Sequence, residues 1–142
     1  DSKKEMIWVG GGAGMAPLRA QIMHMLKTLH TRDREMHYFY GARSLSEAFF
    51  LEDFHALEKE YPNFHFHLAL DRPDPKADEA GVPYTAGFVH QVMYDTYLKD
   101  HEAPEDIELY FCGPPMMNKA VQKMGQDFGM PDENIRFDDF GG

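Results

Sequence analysis

Short apolar runs alternate along the chain with segments whose apolar residues recur at helical spacing. Met6-Ile7-Trp8-Val9 runs into glycines, and Met36-His37-Tyr38-Phe39-Tyr40 ends at Gly41. Both read as strands buried on two faces. Asn63 to Leu70 predicts a third strand, Ile107 to Cys112 a fourth and Ile135 to Phe137 a short fifth. Between them, Leu18, Ile22, Met25, Leu26 and Leu29 form one stripe of a helix starting near Pro17, a residue suited to a first turn because it has no N–H to satisfy. A second helix, Leu45 to Glu60, should bury Phe49, Phe50, Phe54 and Leu57, and a third, Phe88 to Leu98, should bury Val89, Val92 and Met93. The fourth opens at Pro115, carries Met117, Val121 and Met124, and ends at Gly129, where a left-handed cap costs little. Asp71 to Thr85, with Pro73, Pro75, Pro83, four acids and Gly81, reads as an irregular exposed connection. No internal repeat is visible. The alternation predicts an α/β class, a Rossmann-like three-layer α/β/α domain with a five-stranded parallel sheet in the order 3-2-1-4-5. Strands one and four are then neighbours, and a ligand should sit between their carboxyl ends.

Composition narrows the function. The 142 residues suit one domain, read as a single dinucleotide-binding domain over 1–142, and are too few for a complete multi-cofactor enzyme. Hydrophobic residues make up 43% and aromatics 13%, so a packed core is expected. A formal charge of −10 argues against nucleic acid or anionic lipid as the main partner. The single cysteine, Cys112, excludes an intramolecular disulfide and any cysteine-rich zinc or iron–sulfur site, and fits a reducing compartment. No apolar run approaches the ~20 residues that span a bilayer, so no direct membrane contact is expected. The start, Asp1-Ser2-Lys3-Lys4-Glu5, lacks signal-peptide features and an initiating Met, which reads as an excised part of a longer chain.

Candidate chemistry begins at Gly10-Gly11-Gly12-Ala13-Gly14-Met15-Ala16-Pro17, between the first strand and first helix. Small residues let the backbone approach a phosphate, and free N–H groups with the helix dipole offset its charge. Pro17 stands where the third glycine of the dinucleotide fingerprint would fall, and no Gly-Lys-Ser/Thr follows to make an NTPase phosphate loop. A turn that needs glycine for geometry alone competes with the anion reading, and charge favours the anion. Met6 to Arg32 contains no acid, against about five expected from the chain average, and Leu109 to Gln126 contains none, against about three. These are the first and fourth strand–helix junctions, which meet at the predicted crevice. Tyr40-Gly41-Ala42-Arg43-Ser44 ends the second strand, where the adenosine ribose lies in dinucleotide folds. Arg43 and Ser44 suit a 2′-phosphate, whereas Glu47, one turn on, suits a ribose hydroxyl; locally, NADH versus NADPH stays open and leans to the phosphate. At the fourth strand end, Cys112-Gly113-Pro114-Pro115-Met116-Met117 forms a stiff turn beside the glycine loop. Cys112 has no His–acid pair to make it a nucleophile, and a small buried hydrophobe is its competing reading.

Three motifs together resemble the nicotinamide-binding domain of the ferredoxin–NADP reductase family: the G-x-G-x-A-P-L-R run at Gly12 to Arg19, Tyr-Gly-Ala-Arg-Ser at 40–44, and Cys-Gly-Pro-Pro-Met-Met at 112–117. Trp-Val-Gly-Gly-Gly-Ala-Gly-Met-Ala-Pro, Cys-Gly-Pro-Pro-Met-Met-Asn and the terminal Asp-Asp-Phe-Gly-Gly are similar, more narrowly, to the NADH-binding domains of the bacterial sodium-translocating NADH:quinone oxidoreductases. The resemblance covers essentially the whole chain. It implies that Gly10 to Pro17 hold a pyrophosphate, that Cys112 lies against the nicotinamide near the hydride path, and that Phe140 covers the flavin ring and moves aside. It also implies NADH as the nucleotide, with Glu47 a ribose contact. An FAD domain and a [2Fe–2S] domain would lie in other segments of the same subunit, and the other subunits of a respiratory complex would be partners at the cytoplasmic face of a bacterial inner membrane. The isolated domain would bind nucleotide without turning over, because the hydride acceptor is elsewhere.

The same residues admit other readings. His65 and His67 share a strand face and His24 and His30 do not share a helix face; neither pair has an evident third ligand, so no metal is expected. The ten methionines, Met15, Met116 and Met117 among them, suit adaptable packing. Asp138-Asp139 lies at the wrong strand for a receiver-type acidic pair. The alternatives are the NAD(P)H lobe of another flavoprotein reductase, an S-adenosylmethionine methyltransferase, and a non-catalytic nucleotide-sensing or docking module. The methyltransferase usually needs an acid at the end of the second strand, where this chain has Tyr40-Gly41-Ala42.

Overall fold

The computed structural model describes residues 5–11, 22–28, 34–45, 51–101, 106–113 and 115–137. Strands β1 (Glu5–Gly11), β2 (Met36–Ala42), β3 (Phe64–Leu70), β4 (Thr85–Ala86), β5 (Ile107–Cys112) and β6 (Ile135–Phe137) form one sheet in the order β4-β3-β2-β1-β5-β6. Every pairing is parallel. The five strands read from the sequence are β1, β2, β3, β5 and β6, and their order 3-2-1-4-5 is the one found. The sixth strand, β4, is an addition: two exposed residues that pair with Ala69 and Leu70 at the sheet edge. Two residues are too few to show alternation, which is why no pattern announced them.

Helices α1 (Leu51–Glu60), α2 (Pro75–Ala80), α3 (Val89–Thr96) and α4 (Pro115–Phe128) follow the strands, and His24–Thr28 forms a π-helical turn. α2 corrects the reading of 71–85 as irregular. Its acids and prolines have structural jobs: Pro75 occupies the first turn, and the Asp74 carboxylate accepts the Lys76 N–H at 3.0 Å and the Leu45 N–H at 2.8 Å. The Tyr84 hydroxyl accepts the Asp74 N–H at 2.9 Å and donates to Asp78 at 3.0 Å, closing the segment on itself. Leu45, read as the start of the second helix, packs against the core; residues 46–50 lie outside the described residues, and the helix is described from Leu51. Phe49, Phe50, Leu18 and Leu29 lie outside the described residues. α4 ends before Gly129 at φ +101°, the left-handed position expected there.

Strand alternation divides the core between two faces. Trp8, Tyr38, Tyr40, Phe66 and Leu68 point to one face, where Ile22, Leu26, Phe54 and Leu57 cover them. Ile7, Val9, Phe39, Leu109 and Phe111 point to the other, under Val89, Val92, Met93 and Val121. Helical cover on both faces gives the three layers, and double burial explains why β1, β2 and β5 read as continuous apolar runs.

The amino-terminal edge of the sheet is polar. Glu108, buried in β5, pairs with Arg34 and lies 3.5 Å from Arg136. His101 meets Glu5 at 2.6 Å, and the Tyr97 hydroxyl donates to the same carboxylate. His37 is held neutral, its pKa lowered to about 3 by burial and then by the neighbouring imidazoles of His67, His65 and His101. Burial likewise lowers His67 to about 4, against a smaller opposing pull from Glu58.

Candidate functional site

Because all strands run the same way, β1, β2, β3 and β5 end at one edge. There Gly11 pairs with Gly41 and Gly10 with Cys112. Gly113, the next residue, comes so close that a Cβ would lie 2.3 Å from Met117 Cε and 3.5 Å from the Gly11 nitrogen. The Asn118 amide donates to the Gly113 carbonyl at 2.7 Å, tying the turn to α4. At Gly41 a Cβ would lie 2.8 Å from Val89 Cβ, so the start of α3 rests on the end of β2. Two backbone segments lacking side chains therefore face each other where the topology places a ligand.

A cavity of roughly 690 Å³ opens at this edge, floored by Gly11, Gly41 and Ala42 and walled by the starts of α3 and α4. Phe88 and Met116, 62% and 85% exposed, flank it with apolar surface. Arg43 belongs both to this cavity and to a second of roughly 480 Å³ that includes Ser44, Arg72 and Asp74. The pair makes an extended surface, apolar at the α4 end and charged at the other, where Arg43 and Arg72 stand with Asp71 and Asp74. Pockets of this size suit ligands larger than a single small metabolite. His90, in the wall, has its pKa lowered by burial. Among the described residues one acid lines the main cavity: Asp71, whose N–H donates to the Ala42 carbonyl at 3.1 Å. The acid-free stretches thus describe the β1 and β5 junctions and not the whole rim.

The predicted residues divide as follows. Gly11, Gly41, Ala42, Arg43 and Met116 line the main cavity, Ser44 lines the second, and Pro115 is exposed at the start of α4. Gly10 and Gly113 supply the floor behind it. The Tyr40 ring is fully buried and stacks on Tyr38 at 6.0 Å, which leaves only its backbone at the edge. Cys112 is half-buried and packs on the Trp8 and Tyr38 side of the sheet, away from the wall formed by α3 and α4. Gly12, Ala13, Gly14, Met15, Ala16, Pro17, Glu47, Pro114 and Phe140 lie outside the described residues. Sequence reasoning missed Asp71, Arg72, Phe88, Val89 and His90. Their only signal is position, immediately after β3 and at the start of α3, and it becomes informative once the sheet order is fixed.

At Gly41 and Gly113 an added Cβ would strike Val89 and Met117, so glycine there lets α3 and α4 pack onto the strand ends that floor the cavity. Among the described residues no helix is long and apolar enough to cross a membrane. Residues 8–123 match the model of the oxidoreductase NAD-binding domain family. The chain is 55% identical over 138 residues, 97% of its length, to the F subunit of the Na(+)-translocating NADH-quinone reductase of Pseudoalteromonas atlantica, and 54% identical over its full length to that of Neisseria gonorrhoeae. It spans about a third of the length of these curated relatives. Among solved structures, the cytochrome P450 reductase of Amycolatopsis superposes with a TM-score of 0.79 at 28% identity, covering 99% of this chain and 38% of that one.

Proposed function

The chain belongs to the oxidoreductase NAD-binding domain family, and from that premise we propose that residues 1–142 form one domain that binds NADH and presents its nicotinamide for hydride transfer to an FAD on a neighbouring domain. In the whole protein this would be the electron-input step of a sodium-pumping NADH:quinone oxidoreductase. The observation that carries the reading is the floor of Gly11, Gly41 and Gly113, with an apolar wall at one end and two arginines at the other. A dinucleotide fits that layout with its flat nicotinamide on the apolar wall, its adenosine toward Arg43 and Ser44, and its pyrophosphate over the glycine backbone between them.

The chain's own contribution is binding and orientation. Backbone at Gly11 and Gly113 admits the nucleotide closely, with Gly10 to Pro17 assigned to the pyrophosphate. Met116, Met117 and Phe88 offer soft apolar contact to the nicotinamide. Arg43 and Ser44 are assigned to the adenosine side, where Asp71 is placed to accept a ribose hydroxyl and Glu47 remains a second candidate. Cys112, which faces the Trp8 and Tyr38 side of the sheet, would meet the nicotinamide from the side opposite Met116 and Met117, and Phe140 is the candidate for the flavin face. FAD supplies the hydride acceptor when bound, and the [2Fe–2S] centre belongs with it in other segments of such a protein. Other subunits of a respiratory complex at the cytoplasmic face of a bacterial inner membrane would complete the assembly.

Calorimetric titration of the chain with NADH, NADPH and S-adenosylmethionine tests this. NADH should bind, and no NADH:acceptor turnover should appear until an FAD domain is supplied in the same chain. Binding of S-adenosylmethionine alone would overturn the proposal.

A further inference from the structure

The sheet edge opposite the crevice holds imidazoles and a carboxylate that nucleotide binding leaves unused. Glu35 immediately precedes β2, His37 is the second residue of β2, and the register sets His37 beside His65 of β3. Residues two apart on a strand share a face, so all three side chains converge. His65 Nε2 contacts Glu35 Oε1, and His37 Nε2 lies 3.6 Å from the same oxygen. One donor atom from each of the three lies within 4.8 Å of the others.

A second observation concerns the nitrogen itself. His37 is only 7% exposed, and its Nε2 is buried with no hydrogen-bond partner among the described residues. Such an atom has lost its water with nothing returned, and in a native structure it calls for a reason. His37 Nδ1 lies 3.1 Å from His67 Nε2, and the Tyr97 ring sits 4.2 Å from the imidazole, so its orientation is fixed on two sides. With Nδ1–H donated to His67, Nε2 presents a bare lone pair toward Glu35 and His65. This is how metal-ligating histidines are commonly held, by a hydrogen bond from the other ring nitrogen.

We propose that Glu35, His37 and His65 form a binding site for one Zn²⁺ ion. Two imidazoles and one carboxylate suit zinc, with ligand distances of about 2.0–2.2 Å and a tetrahedral edge of about 3.3 Å. The donors lie within 4.8 Å of one another, with Glu35 and His65 in direct contact, and these two, with side chains 42% and 37% exposed, have room to separate around an ion while His37 stays fixed. As the ion enters, the His65 ring takes the tautomer with its proton on Nδ1, exchanged through solvent, so that Nε2 is free to ligate, and water takes the fourth position. The ion would staple β2 to β3 at the end of the sheet away from the crevice. The site is independent of the nucleotide reading and stands or falls separately from it.

Titration of the 142-residue chain with zinc chloride, followed by calorimetry and thermal melting, tests the site. The expected result is one equivalent bound, a rise in Tm with zinc, and no displacement by excess magnesium. His65→Ala and Glu35→Gln, both at exposed side chains, should each weaken binding at least tenfold and remove the Tm rise, with circular dichroism confirming the fold. Cys112→Ala, which removes the single thiol, should retain the site. Absence of saturable zinc binding, unchanged affinity in both the His65 and Glu35 variants, or loss of binding in Cys112→Ala would overturn it.

Discussion

Gly113 is the residue on which the crevice floor depends most directly. A methyl group there would strike Met117 Cε and Sδ, the far end of a flexible side chain, and would crowd the Gly11 nitrogen more gently. Gly113→Ala should therefore cost little stability, under about 1 kcal/mol, because Met117 can swing aside. Met117 lines the cavity, so displacing it should reshape the wall and NADH affinity should fall roughly fivefold or more, the equivalent of about 1 kcal/mol. Parallel calorimetry and thermal melting separate the two effects, and unchanged affinity would remove Gly113 from the site. Cys112→Ala, made in a protein carrying the FAD domain, should slow flavin reduction more than it raises the NADH Kd; a change in affinity alone would reduce Cys112 to packing. Glycines and the turn at Cys112 were legible in the sequence because a backbone that must approach a ligand leaves a compositional trace. Asp71, Phe88 and His90 leave none, since each is an ordinary residue until the sheet brings β3, α3 and β1 to one edge. His37 was illegible for the same reason: its partner His65 stands 28 positions away and is set beside it only by strand register.

Elements were legible in proportion to how much apolar surface they bury. The strands β1, β2 and β5, covered on both faces, announce themselves as unbroken apolar runs, and α3 and α4 show their buried stripes. α2 is different. Its six residues, Pro-Lys-Ala-Asp-Glu-Ala, bury only Ala77, so no periodic stripe marks it, and its stability comes from its ends. Asp74 caps the helix and also holds the Leu45 N–H, and these bonds keep its carboxyl pKa below the usual value, with the Leu45 bond the largest cause. Asp74→Ala should lower the urea midpoint without changing the slope of the transition, as the loss of an N-cap does. A midpoint change inside error would mean that Tyr84, whose hydroxyl meets both Asp74 and Asp78, carries the segment alone.

Across the whole molecule, parallel strands give the sheet two unlike ends. The carboxyl ends meet backbone glycines, an apolar wall and the arginines; the amino ends meet buried imidazoles and carboxylates. An acidic chain of net charge −10 thus keeps Met6 to Arg32 and Leu109 to Gln126 free of acids, the two stretches that deliver β1 and β5 to the crevice. The dinucleotide account requires the ligand to act at one end only. Amide NMR of the isotopically labelled chain, titrated with NADH, tests that most directly. The account predicts saturable shifts at Gly11, Gly41, Arg43, Asp71, Gly113 and Met116, with Glu35, His37, His65 and His101 unmoved. Shifts concentrated at the amino-terminal edge, or no saturable shifts at the glycine floor, would contradict it.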